Sequence, residues 1–214
     1  MRWSKDNQFI VYPSQAILVA YHVTSSSQFV FLGHSDKISC LALSPDNSII
    51  ASGQTGPYSL VRLWDFQSRK CLSIFRNHEH SLYLLEYSYC GSFLCGVGKD
   101  KQGKSMLCLW DVRDVRKSGS SAKLVAKAHT DVHISRILFV HFDSTRLITC
   151  GRDNVRFWRL KNDTLRSCAV NLSPYIQSLN QAWVIMKCYI CIKFKNNYSS
   201  IKIIQDLYKL NKNV

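Results

Sequence analysis

Long apolar runs are missing from this chain of 214 residues. None approaches the ~20 residues of a membrane-spanning helix, so no helical span is expected. The start, Met1-Arg2-Trp3-Ser4-Lys5-Asp6, leads into polar sequence, so no secretory leader is expected either. Acidic residues are scarce, 14 against 28 lysines and arginines, for a formal charge of +14. That balance favours polyanionic partners: nucleic acid, anionic lipid or an acidic protein surface. The nine cysteines are odd in number and lack framework spacing. A disulfide-stapled scaffold is therefore excluded, and reduced thiols on strands in a cytosolic setting are expected. The sequons at Asn162, Asn171 and Asn197 are accordingly read as unused. No nucleophile elbow is present. Cys188 and Cys191 form a C-x-x-C without a second ligand pair, and His78-Glu79-His80 lacks the spacing of a metalloprotease helix, so neither metal nor cofactor is expected.

What is present is a repeat. Gly33-His34 to Trp64-Asp65, Asn77-His78 to Trp110-Asp111 and Ala128-His129 to Trp158-Arg159 share one pattern, with tryptophans 46 and 48 residues apart. Inside each copy, short alternating segments are separated by turn residues, which predicts strands. In the first these are Ile38 to Leu43, Ile49 to Ser52, Leu60 to Trp64 and Cys71 to Phe75. The second has Leu82 to Tyr87, Ser92 to Val97, Met106 to Trp110 and Leu124 to Ala126. The third has Ile134 to Val140, Arg146 to Cys150, Val155 to Leu160 and Leu165 to Val170. Upstream, Phe9 to Tyr12, Ala16 to Val23 and Gln28 to Leu32 predict three more strands, with Tyr21-His22 standing where Trp-Asp ends a repeat. The fold class is all-β: about three four-stranded units plus part of a preceding one. We divide the chain into residues 1–32, the end of a preceding unit; 33–172, three repeats; and 173–214, a non-repeat tail. The tail is basic, with six lysines against one aspartate over residues 171–214, and reads as disordered or as a gene-model artefact.

The Gly-His start and Trp-Asp end resemble those of WD-repeat proteins, over roughly residues 8–172. The resemblance implies a β-propeller whose repeats each bury a hydrogen-bonded set of loop histidine, strand serine or threonine, turn aspartate and tryptophan. On that pattern His129, Thr149, Asp153 and Trp158 form a full set. His34, Ser52 and Trp64 lack the aspartate, and His78, Asp100 and Trp110 lack the hydroxyl. A narrower resemblance, on Val61 to Gln67, Leu94 to Asp100, Ala126 to Asp131 and Leu165 to Cys168, is to large centriole- and basal-body-associated members of the family. It implies a non-enzymatic scaffold at the cytoskeleton, in centriole organisation and cilium assembly, with tubulin or centriolar proteins as partners.

Two other functions compete. Gly98 to Ser105 fits the phosphate-loop string G-x-x-x-x-G-K-S, which implies a nucleotide-hydrolysing enzyme if a helix follows. Here Met106 to Trp110 matches the closing strand of the other repeats, which favours a hairpin. The charge alone also allows a nucleic-acid-binding module, yet aromatics are not interleaved with the lysines as a single-strand platform requires. The candidate interaction residues are Lys99, Lys101 and Lys104 in one hairpin, and Arg113, Arg116, Lys117 and Lys123 around Ser118-Gly119-Ser120-Ser121. In the family these two loop types lie on opposite faces of the disc.

Overall fold

The structure, a computed structural model, describes residues 1–56, 59–78, 80–117, 121–151 and 154–170. It contains sixteen strands in four sheets of four. The first sheet holds β1 (Arg2–Trp3), β2 (Phe9–Ser14), β3 (Ile17–His22) and β4 (Gln28–Phe31). The second holds β5 (Ile38–Leu43), β6 (Ile49–Gln54), β7 (Val61–Asp65) and β8 (Cys71–Phe75). The third holds β9 (Ser81–Tyr87), β10 (Phe93–Lys99), β11 (Ser105–Asp111) and β12 (Lys123–Thr130). The fourth holds β13 (Arg136–Val140), β14 (Asp143–Gly151), β15 (Asn154–Lys161) and β16 (Thr164–Ala169). Every sheet is antiparallel with its strands in chain order, so each is an up-and-down blade.

The blades pack face to face, because alternation gives every strand two usable faces. Val11, Leu18, Ala20 and Phe31 of the first sheet meet Leu41, Ile50 and Trp64 of the second. Cys40, Ala51 and Leu63 on the other face of the second meet Leu85, Leu94 and Trp110 of the third. Cys95, Leu107 and Leu109 then meet Ile137, Leu147 and Trp158 of the fourth. At each junction the tryptophan belongs to the later sheet. Trp64, Trp110 and Trp158 are 2, 0 and 3% exposed, so replacing any of them by alanine is worth roughly 3–5 kcal/mol. The first strands β1, β5, β9 and β13 lie side by side, forming the hub from which the blades run outward.

The first sheet is fuller than its sequence indicates. Arg2–Trp3 adds a two-residue strand against Ile10 and Val11, so residues 1–32 contain a four-stranded blade and not three strands of one. No alternation can announce two residues; a tertiary contact holds them. Arg2 donates to Leu41 O (3.3 Å) and pairs with Glu86 of the third sheet (2.8 Å). The last strand of the second repeat, β12 of the third sheet, also runs longer than read, to Thr130, which takes His129 out of a loop. The tail from residue 171, with Cys188 and Cys191, lies outside the described residues.

Candidate interaction surface and the network beneath it

Each of the three repeat tryptophans, Trp64, Trp110 and Trp158, finds a different hydrogen-bond acceptor. In the second sheet the Trp64 Nε1–H donates to Ser52 Oγ (2.7 Å), and Ser52 Oγ meets His34 Nε2 (2.7 Å). His34 Nδ1 faces Gln54 Oε1 at 2.7 Å. A carbonyl oxygen can only accept, so Nδ1 carries the proton and Nε2 accepts from Ser52. Gln54 thus takes the place of the missing aspartate; it is also held by the hydroxyl and amide of Ser35. Ile50, Ser52 and Gln54 share one face of β6, with Ile50 directly opposite Trp64. Strand alternation from Ser52 was the available signal for Gln54. Burial holds His34 below the usual histidine range, against the Gln54 bond, and the nearby Arg62 charge adds to it.

In the third sheet Leu94 stands opposite Trp110, so Gly96 holds the position of Ser52. A Cβ on Gly96 would lie 2.7 Å from the Trp110 ring, which leaves no room for a serine. Trp110 Nε1–H donates instead to Asn77 Oδ1 (2.6 Å), the residue that replaces the glycine of Gly-His. His78, Asp100 and Trp110 therefore do not form one network. His78 Nε2 donates to Met106 O (3.2 Å), and burial pushes it down to about 4. Asp100 closes the β10–β11 turn, accepting the amides of Gln102 and Lys104 (both 2.9 Å), and pairs with His129 Nδ1 (3.0 Å). In the fourth sheet Trp158 Nε1–H donates to Thr149 Oγ1 (2.8 Å). His129, expected to join them, lies on β12 opposite Met106 and belongs to the third sheet's edge. Asp153 lies outside the described residues.

The basic residues divide by what they touch. Arg113 grips Asp111, Arg116 reaches back to Asp65 (3.0 Å) and Ser48 O (2.9 Å) of the second sheet, and Lys117 pairs with Asp114. Val112 and Val115 between them are buried in the junction of the second and third sheets. This segment is a strap across two blades, and its charges are largely answered within the chain. Lys123 opens β12 opposite Asp111. Lys99, Lys101 and Lys104 share the β10–β11 hairpin, which emerges at the opposite end of β11 from the strap. All three are exposed, and Lys104 also reaches the exposed Asp131 (3.2 Å). Gly103, at φ +79°, lets the hairpin turn where a side chain would be strained.

The same hairpin decides the phosphate-loop string. Gly98 pairs with Met106 and Lys99 with Ser105, so Ser105 opens a strand. No helix N-terminus follows to cradle a phosphate. Among the described residues no three His, Cys, Asp or Glu side chains converge on a metal-sized site, and no helix is long and apolar enough to cross a membrane. Of the seven cysteines expected as core residues on or beside strands, Cys40, Cys95, Cys108 and Cys150 are buried and Cys168 is half-buried, but Cys71 and Cys90 are exposed. Cys71 begins an outermost strand and Cys90 sits in a turn.

Four-stranded blades stacked around a hub, with tryptophans bonded beneath the loops, define the class: the chain belongs to the WD-repeat β-propeller family. The family model "WD domain, G-beta repeat" matches residues 25–65. The chain is 47% identical to WD repeat-containing protein 90 of Xenopus tropicalis, over 81% of its own length and 9% of that protein's. It is 35% identical to centriole proteome protein 16 of Chlamydomonas reinhardtii, over 71% of its length and 7% of that protein's. It is 33% identical to human echinoderm microtubule-associated protein-like 2, over 73% and 25% respectively. The chain thus spans about a tenth of the first of these relatives.

Proposed function

We propose that the chain is a non-enzymatic interaction module of a scaffold at the centriole or basal body, contributing to cilium assembly by associating with the microtubule wall. The names of the relatives support this reading, one carrying "centriole" and another "microtubule-associated". The observation that carries it is the β10–β11 hairpin. Lys99, Lys101 and Lys104 are exposed together on one hairpin, with Lys104 also reaching the exposed Asp131, whereas Arg113, Arg116 and Lys117 lie along a strap that pairs with Asp111, Asp65 and Asp114. An acidic protein surface such as that of tubulin is the fitting partner, through contacts that weaken as salt rises. We assign the binding part to residues 33–172 and the flanking blade to residues 1–32.

The test is microtubule co-sedimentation of the chain beside a Lys99/Lys101/Lys104→Ala variant, across a salt series. The expected result is pelleting at low salt that the triple variant loses, while Arg113→Ala retains it. Equal pelleting of wild type and triple variant removes the hairpin from the reading. Tight binding of DNA or RNA with a steep salt slope, and none of microtubules, replaces it with the nucleic-acid alternative.

A further inference from the structure

The turn between β9 and β10 carries a cysteine that the blade architecture does not use. Cys90 is exposed, and hydroxyls surround its sulfur: Ser144 Oγ of the fourth sheet lies 2.9 Å away and Ser88 Oγ 3.4 Å. Ser88 Oγ already accepts the Phe93 amide, which leaves its own proton free to point at the sulfur. Partial burial works against ionisation, but the hydroxyls of Ser144, Ser88 and Ser92 outweigh it and bring the thiol down to about 7. Such a sulfur is a nucleophile at neutral pH.

A second observation is independent of the sulfur. Cys90 lines an open cleft of about 320 Å³ between the second and third sheets, together with Asp46, Tyr87, Arg113 and Arg116. Tyr87 is 6% exposed, and its hydroxyl has no hydrogen-bond partner among the described residues. Burial, then the Asp46 carboxylate, push Tyr87 upward, so the hydroxyl keeps its proton. Asp46 itself is occupied by the hydroxyls of Ser44 and Ser48 and the Ser48 amide. The cleft therefore offers a nucleophile, an uncommitted buried donor and two exposed guanidinium groups, each paired with an aspartate but with five N–H donors apiece to share between that aspartate and a ligand. That combination suits a small peptide-like molecule bearing carboxylates.

We propose that this cleft is a thiolation site, in which Cys90 attacks a small carboxylate-bearing disulfide. The Cys90 thiolate forms a new S–S bond to one sulfur as the old S–S bond breaks. The departing thiolate takes a proton from solvent. Cys90 is oxidised and the departing sulfur reduced, so the disulfide is the only oxidant needed. The adduct displaces Ser144 from the sulfur, removing a link between the third and fourth sheets.

The experiment treats the full chain with glutathione disulfide, quenches with acid and follows each cysteine by peptide mass spectrometry. At mildly acidic pH, Cys90 is expected to react about fivefold faster than a short cysteine peptide in the same tube, its larger thiolate fraction being partly offset by lower nucleophilicity. Tyr87→Phe is expected to slow this reaction severalfold while leaving alkylation of Cys90 by iodoacetamide unchanged. Arg113→Gln is expected to slow glutathione disulfide more than the neutral hydroxyethyl disulfide. Cys90 reacting no faster than the peptide overturns the nucleophile. Glutathione disulfide rates unaffected by both Tyr87→Phe and Arg113→Gln overturn the cleft.

Discussion

Removing the acceptor beneath Trp110 tests how the blades are held. Trp110 is fully buried, and its indole N–H has Asn77 Oδ1 as its partner at 2.6 Å. Asn77→Ala leaves that donor in an apolar junction of Leu63, Leu94 and Cys108, a loss of about 1–3 kcal/mol. For a protein of this size the shift in midpoint is roughly 2–4 °C per kcal/mol. A neighbouring glycine sharpens the expectation, because Gly96 cannot supply a hydroxyl without displacing the indole. The assay is urea unfolding of wild type, Asn77→Ala, Trp110→Phe and the double variant. Trp110→Phe deletes the N–H along with part of the ring, so on that background Asn77→Ala is expected to cost under about 0.5 kcal/mol. The coupling energy isolates the bond from the packing lost with the ring. An Asn77→Ala cost that is the same in both backgrounds refutes the bond as the source, and with it the view that Asn77 substitutes for the absent serine.

Ser52→Ala strands both the Trp64 N–H and the acceptor of His34, and is expected to cost about 2–4 kcal/mol in urea unfolding, more than the about 1–3 kcal/mol of Thr149→Val, which strands one donor; equal costs contradict the shared role of Ser52. Stability is expected to fall between pH 6.5 and 4. His78 and His34 stay neutral in the fold while the unfolded chain takes up protons, so ΔG of unfolding rises with pH across that window. The His78 share is about 3 kcal/mol at most, and Glu86, pushed up by burial against the Arg2 charge, opposes it more weakly. Urea midpoints that stay flat over the window, or a slope unchanged in His78→Gln, contradict the assignment. Arg116→Ala is expected to cost about 1 kcal/mol, being half-exposed, and to raise hydrogen exchange in residues 112–117, where no change would dissociate the strap from its Asp65 anchor.

Much of the architecture was legible because large aromatics and strand alternation repeat. Trp64, Trp110 and Trp158 mark the third strand of three blades, and the segments around them alternate cleanly. What stayed illegible was set by contacts distant in sequence. Arg2–Trp3 pairs with Ile10 and Val11 while Arg2 reaches Leu41 O and Glu86 in two other sheets. Arg116 looks like a free loop cation until Asp65 of the preceding blade is brought beneath it. His129 imitates a loop histidine by following Ala128, yet the β11–β12 ladder runs past it and hands it to Asp100. Gln54 and Asn77 escaped for another reason. The family pattern specifies an aspartate and a hydroxyl, whereas the indole and imidazole demand only an acceptor in reach. Chemistry tolerates substitutes that a motif does not name.

The two ends of the array are not equivalent to its middle. Trp3, Ile10 and Tyr21 lie in one cross-strand row on the first sheet, beside a second row of Tyr12, Val19 and Val30. Tyr21 stands opposite Ile10 as Trp64 stands opposite Ile50, so this is the face that the other three sheets bury beneath a preceding blade. Here Trp3 and Val30 remain 50 and 43% exposed. The equivalent face of each of the other three sheets packs on an apolar sheet surface. The proposed binding hairpin does not wait on such a contact. It belongs to the third sheet, which is buried on both faces, by Leu63 and its neighbours on one side and Leu147 and Trp158 on the other. The lysines are therefore presented from a blade whose support is complete.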